Sequence, residues 1–125
     1  MARVLVVDDD PDILELVKLR LHARGHAVLV ASSGPEALDL LAGRQPPEVA
    51  VLDVGMPDMT GFELLQRLRA TTGYERMPAI FLSARVQPRD IEQGRALGAQ
   101  YLTKPFVTTA LLKAIERVWQ PSAGW

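Results

Sequence analysis

Two apolar runs end on acids. Val4-Leu5-Val6-Val7 leads into Asp8, Asp9 and Asp10, and Val49-Ala50-Val51-Leu52 ends on Asp53 and continues Val54-Gly55-Met56-Pro57-Asp58. Clustered like charges repel unless a cation or a function holds them together. Two further runs end on groups that complement acids: Ser83 closes Ala79-Ile80-Phe81-Leu82, and Lys104 follows Ala99-Gln100-Tyr101-Leu102-Thr103. In an open parallel sheet all strands point the same way, so their C-terminal ends share one rim where ligands bind. Three acids, a hydroxyl and an amine in one crevice suit phosphoryl transfer to a carboxylate, where a hard cation neutralises the phosphoryl oxygens and fixed donors stabilise the transition state. Mg2+ suits that set, because it prefers oxygen ligands and needs one or two carboxylates, a carbonyl and the phosphoryl group beside its waters.

The elements that must position these groups are legible as an alternation. Apolar, strand-like runs at about 3–7, 26–31, 48–53, 78–83 and 99–103 alternate with helical patterns at about 11–24, 35–43, 61–72, 88–97 and 107–119. Five βα units with short connections predict an α/β fold with a parallel sheet covered by helices on both faces. Pro11 and Pro35 stand where first helical turns begin, and Gly25, Gly43, Gly73 and Gly98 stand just past helix ends. The last helix places Leu111, Leu112, Ile115, Val118 and Trp119 on one face, as docking on a sheet requires. The helix near 88–97 is the weak one: its apolar stripe is mainly Ile91 and Leu97, Gln87 is a poor N-cap and Gly94 interrupts it. Such an element belongs at the low-stability end of a fold and is a candidate switch surface.

Taken singly, each chemical residue has an ordinary reading. Asp10 before Pro11 reads as a helix N-cap, Asp58 as part of a loop turn, Ser83 as a strand-end hydroxyl and Lys104 as a surface amine. Their joint placement carries the argument. His22 and His26 have no partners at metal-ligand spacing and read as surface residues.

With these residues assembled, the chain resembles the receiver domain of two-component response regulators, chemotaxis-regulator-like, over nearly all its length. The motifs are Val-Val-Asp-Asp-Asp-Pro, Leu-Asp-Val-Gly-Met-Pro-Asp-Met-Thr-Gly, Phe-Leu-Ser-Ala and Leu-Thr-Lys-Pro-Phe. The resemblance implies a doubly wound, flavodoxin-like sheet in the order 2-1-3-4-5. It implies that Asp53 accepts the phosphoryl group, that Asp8 and Asp9 hold Mg2+ with Asp53 and the Gly55 carbonyl, and that Ser83 and Lys104 contact phosphoryl oxygens, Lys104 pairing with Asp53 beforehand. It also implies a cis Lys104–Pro105 bond, and a relay in which Ser83 and the aromatic Tyr101 bias the surface near residues 88–119. Gly55 and Arg85 occupy positions that influence phosphoryl lifetime in this family: a bare Gly55 leaves the group open to water, whereas Arg85 shields or pairs with it.

The expected function is that of a signalling module. It takes a phosphoryl group from the phosphohistidine of a sensor histidine kinase or histidine phosphotransfer protein, which the resemblance places near the first helix, and later loses it by hydrolysis. It then contacts a downstream effector protein or domain. It is not an enzyme toward external substrates, since it catalyses its own phosphorylation and dephosphorylation. A phosphorylation-independent interaction module usually lacks an acid or the Lys, and all are present here. Haloacid dehalogenase-like phosphatases carry a second acid two residues after the nucleophile, where this chain has Gly55, and a flavodoxin-like cofactor site would be repelled by the acids.

Composition sets the outer bounds. The chain has 125 residues, 23% of them charged, a net charge of −1 and no cysteine. That length suits one domain, read as 1–120 with 121–125 as a tail or the start of a linker. Absence of Cys excludes thiol chemistry. Basic residues scattered along the sequence give no nucleic-acid footprint, and no run approaches a membrane span or a signal peptide, so a cytoplasmic protein is expected. The unmodified form is expected to be monomeric, with dimerisation through the surface near 88–119 on phosphorylation.

Overall fold

The computed structural model describes residues 2–85 and 87–119, so the expected tail at 121–125 lies outside the described residues. Five strands, β1 (Arg3–Val7), β2 (Ala27–Ala31), β3 (Val49–Asp53), β4 (Ala79–Ser83) and β5 (Gln100–Thr103), alternate with α1 (Pro11–Ala23), α2 (Gly34–Leu41), α3 (Gly61–Arg69), α4 (Pro88–Ala96) and α5 (Thr108–Val118). All strand pairs are parallel and the order is β2-β1-β3-β4-β5.

Parallel strands with helices on both faces bury both sets of alternating side chains, which is why these runs are apolar throughout. Leu5, Ala50, Leu52 and Phe81 face a core layer with Phe62, Leu64, Leu65 and Leu68 of α3. Val4, Val6, Val51, Ile80 and Leu82 face the opposite layer, with Val17 and Leu21 of α1 and Leu111 and Ile115 of α5. The central strands β1, β3 and β4 are almost wholly buried, whereas the edge strands β2 and β5 are partly exposed.

Cap chemistry accounts for most helix ends. Asp10, Ser33 and Thr60 cap α1, α2 and α3 through their side chains, and Thr60 with Glu63 forms a capping box. Gly25 and Gly98 adopt φ of +84° and +71° and close Schellman motifs. In the first, Gly25 N–H donates to the His22 carbonyl and His26 N–H to that of Leu21; in the second, Gly98 donates to Arg95 and Ala99 to Gly94.

Helix α3 stops at Arg69, three residues short of the expected limit, and Gly73 lies in the following turn rather than at the helix end. Thr71 and Thr72 are poor helix formers, and the Thr71 hydroxyl bonds back to the Arg67 carbonyl at 3.3 Å. The expectation that His26 is a plain surface residue is also corrected. It is half-buried, its Nδ1 accepts the Ala2 N–H at 2.9 Å, and its ring meets Trp119 edge-on at 6.1 Å.

Candidate functional site

The parallel sheet brings the ends of β1, β3, β4 and β5 to one rim. Asp8 follows β1, Asp53 and Ser83 are the last residues of β3 and β4, and Lys104 follows β5. Register couples them: Asp53 pairs with Leu82, one residue before Ser83, and Ser83 pairs with Thr103, one residue before Lys104. The backbone therefore fixes all four groups before any side chain is placed.

Asp8, Asp9 and Asp53 each offer a carboxylate oxygen, and these oxygens lie within 4.8 Å of one another. Asp8 is 1% and Asp53 6% exposed, so both charges have lost most of their water. Lys104 Nζ donates to Asp8 Oδ2 at 2.7 Å and stands 3.5 Å from Asp53 Oδ1. The ammonium thus sits more closely on Asp8 than on Asp53. Asp8 Oδ1 also accepts the Asp10 N–H at 2.9 Å, which holds the β1–α1 turn against the site.

Burial, and then the neighbouring Asp8 charge, push the Asp53 carboxyl up to about 6, although Lys104 pulls the other way. Burial would lower the Lys104 ammonium, but the bond to Asp8 and the charge of Asp53 outweigh it and hold Lys104 above the usual lysine value. Three clustered carboxylates compensated by one ammonium leave a net negative, oxygen-only donor set. This donor chemistry fits a hard divalent cation such as Mg2+.

Gly61 explains how α3 comes so near the rim. A Cβ there would stand 2.3 Å from the Asp53 carbonyl oxygen, and Gly61 N–H donates to the Val54 carbonyl at 3.1 Å. Only glycine allows the helix to start against the end of β3. Asp58, in the intervening loop, adopts φ of +68°, a conformation Asp tolerates better than most residues.

Ser83 Oγ accepts the Arg85 N–H at 3.0 Å, and the Tyr101 hydroxyl donates to the Arg85 carbonyl at 2.8 Å. Ser83 and Tyr101 therefore grip one residue of the β4–α4 loop from opposite sides of its backbone. The Tyr101 ring leans on Phe81 at 6.3 Å, and burial raises its hydroxyl pKa. The Arg85 guanidinium lies over Gly55, its Nε 3.6 Å from where a Cβ would stand. The Lys104–Pro105 bond is cis.

Sequence reasoning missed two features here. Gly94, read as a mere weakness of α4, is the point where the helix backbone meets the rings: a Cβ would lie 2.9 Å from Tyr101 Cδ2 and 3.2 Å from Phe81 Cδ2. Arg69 went unnoticed: its Nε and Nη2 donate to the Met77 carbonyl at 3.2 and 2.8 Å, and its Nη1 donates to the Leu97 carbonyl at the end of α4. The poor cap at Gln87 is observed, with no side-chain hydrogen bond to the first turn of α4.

A family model described as the response regulator receiver domain matches residues 4–116. The transcriptional regulatory protein KdpE of Mycobacterium tuberculosis is 45% identical over 107 residues, which is 85% of this chain and 46% of KdpE. The chain thus spans about half the length of that relative. Protein PilH of Pseudomonas aeruginosa is 35% identical over 94% of this chain and 98% of its own length. Among solved structures, the chemotaxis protein CheY4 of Vibrio cholerae superposes with a TM-score of 0.86 at 38% identity, over 94% of this chain and 98% of that one.

Proposed function

Because the chain belongs to the response regulator receiver domains, we propose that it accepts a phosphoryl group on Asp53 and that this changes the surface formed by α4, β5 and α5. The observation that carries the reading is the convergence of Asp8, Asp9, Asp53 and Lys104 at one rim.

In the proposed step an Asp53 carboxylate oxygen attacks the phosphorus of a partner's phosphohistidine. The P–N bond breaks and its electron pair returns to the imidazole, leaving an acyl phosphate on Asp53 and a neutral histidine once a proton is taken up. A carboxyl with a pKa of about 6 is mostly ionised at neutral pH and so can act as the nucleophile. Lys104 neutralises charge on the transferring group, and Ser83 offers a hydroxyl to one of its oxygens. Asp8, Asp9, Asp53 and the Gly55 carbonyl would hold Mg2+, which would supply charge neutralisation for the phosphoryl oxygens.

The switch follows from one hydroxyl serving two bonds. Ser83 Oγ holds the Arg85 N–H in the unmodified protein, and turning toward a phosphoryl oxygen releases that grip. The β4–α4 loop and Tyr101 then move together, and α4, which has no side-chain cap and, unlike α5, buries only Asp90 and Gly94, offers the least resistance. The Arg85 guanidinium lies over Gly55, in the space a side chain there would take, which favours shielding.

For partners, α1, which begins directly after Asp8, Asp9 and Asp10, exposes Leu16 and Leu19, 39% and 59% accessible. Apolar side chains next to acids suit a helix of a histidine kinase or phosphotransfer protein. An effector protein or domain would read the α4–β5–α5 surface, where dimerisation on phosphorylation is also placed; the unmodified protein is taken as a monomer. Among the described residues no helix is long and apolar enough to cross a membrane. The cytoplasm, where kinase domains of this kind reside, is the proposed location.

Intact mass after incubation with acetyl phosphate and Mg2+ tests the chemistry. A gain of about 80 Da that needs both Asp53 and Mg2+ is expected, and Arg85→Ala should shorten the lifetime of that adduct. No adduct together with no Mg2+ binding would overturn the reading in favour of a phosphorylation-independent interaction module.

A further inference from the structure

The N-terminal edge of the sheet, opposite the acidic rim, holds a cavity of about 580 Å3 lined by Arg69, Arg76 and Arg117, with Pro78, Gly98 and Val118 among its walls. Arg69 and Arg76 come from the end of α3 and the α3–β4 connection, close in sequence, and Arg117 joins them from the end of α5. The one carboxylate in the lining, Glu48, is already engaged. It accepts the Trp119 indole N–H at 2.8 Å and the Arg3 N–H at 3.1 Å, and it pairs with the Arg3 guanidinium at 3.8 Å.

None of the three guanidiniums has a carboxylate partner among the described residues, where the ion pairs are those of Arg3 and Lys104. Arg69 is half-buried and held by two backbone carbonyls alone, an arrangement that fixes its fork without neutralising its charge. Three of its five N–H groups are used there, so two remain free to donate. Burial lowers its pKa, as expected for a cation that has lost water without gaining an anion.

We propose that this cavity binds a small anion with two linked phosphate groups, of the pyrophosphate or nucleoside diphosphate class. Guanidinium forks match phosphate oxygens bidentately, and an arginine already fixed by carbonyls loses little freedom on binding. Three cations against one engaged carboxylate favour a multiply charged ligand over a single carboxylate. The volume lies in the range of small-molecule sites, and the Pro78 and Val118 walls give a nucleoside apolar surface to rest on. Arg69 also grips the Leu97 carbonyl just past α4, so a ligand here is joined to the end of α4 through that side chain.

The test is calorimetric titration of the full chain with inorganic pyrophosphate and, separately, with ADP, in Mg2+-free buffer at low salt. Arg76→Gln/Arg117→Gln serves as the variant, because both side chains are exposed and their loss leaves the fold intact. Pyrophosphate should bind with a dissociation constant below about 1 mM, weakened at least about tenfold in the variant. Amide shifts should centre on Gly98 rather than Asp53. ADP binding more tightly than pyrophosphate would assign the site to nucleotides, and the reverse would assign it to inorganic diphosphate. Absent binding, or equal binding to wild type and variant, would overturn the proposal, whatever the outcome of the phosphorylation test.

Discussion

The two edges of the sheet, about 17 Å apart along five-residue strands, carry opposite charge and reach it by different routes. At the C-terminal edge, Asp8, Asp53, Ser83 and Lys104 come from strand ends or the residues just beyond them, so parallel pairing alone brings them together. At the N-terminal edge, Arg69, Arg76 and Arg117 come from helix ends and a connection, and only the packed fold collects them. The first edge compensates its charge internally through Lys104, whereas the second leaves its guanidiniums with carbonyls or solvent. A charge cluster at strand ends is therefore tightly coupled and sensitive to single changes, and one built from helix ends is loose and tolerant.

Removing Lys104 tests that contrast most severely. Lys104→Ala leaves two buried carboxylates and Asp9 without a cation, so acyl-phosphate formation should fall by about 100-fold. Stability without metal should drop by about 1–3 kcal/mol, moderated because Asp53 can take up a proton. Arg117→Gln, at the other edge, should stay within about 0.5 kcal/mol of wild type. Mass spectrometry and urea unfolding of both variants measure the difference; similar losses in the two would erase the distinction.

The same contrast explains what could be read from the sequence. Asp8, Asp9, Asp53, Ser83 and Lys104 were legible because each ends an apolar run or lies just past one, and the position of a run in a parallel sheet fixes where its end lies. The strand and helix alternation, the caps at Asp10 and the weakness at Gln87 were legible because they depend on local chemistry. Gly94 was misread because its packing against Tyr101 and Phe81 depends on how α4 lies over β4 and β5. The arginine cavity and the His26–Trp119 contact were invisible, since they join residues about 40 and more than 90 positions apart without a motif. Arginines that look scattered along the chain are gathered by the fold.

Acid should separate the edges by sign. Asp53 has its carboxyl raised from 3.8 to about 6, so its ionisation is harder in the folded state. Its contribution to stability is greatest below 3.8, is lost as pH rises toward about 6 and stays lost above that. Asp53→Asn should therefore gain about 1–2 kcal/mol at neutral pH without metal, after discounting for screening. His26 behaves oppositely: burial lowers it from 6.5, so its contribution is present above 6.5 and is lost as pH falls. Denaturant unfolding of wild type, Asp53→Asn and His26→Gln from about pH 4 to 8 reads this as two difference curves of opposite slope. Parallel curves would mean that one of the two shifts has the opposite sign.

The smallest effect lies where the acidic edge is joined to α4. In Gly94→Ala the helix gains about 0.5–1 kcal/mol from propensity, but the new Cβ meets Tyr101 Cδ2 at 2.9 Å and Phe81 Cδ2 at 3.2 Å. Phe81 is fully buried and edge-on to Phe62 at 4.9 Å, so it cannot yield. Tyr101 is half-buried on an edge strand and can swing outward, at the expense of its bond to the Arg85 carbonyl. Net stability should then change by less than about 1 kcal/mol, while the Tyr101 ring resonances shift and Arg85 loses one side of its grip. Unchanged ring resonances would show that α4 moves instead of the ring, placing the compliant part of the proposed switch in the helix rather than in the tyrosine.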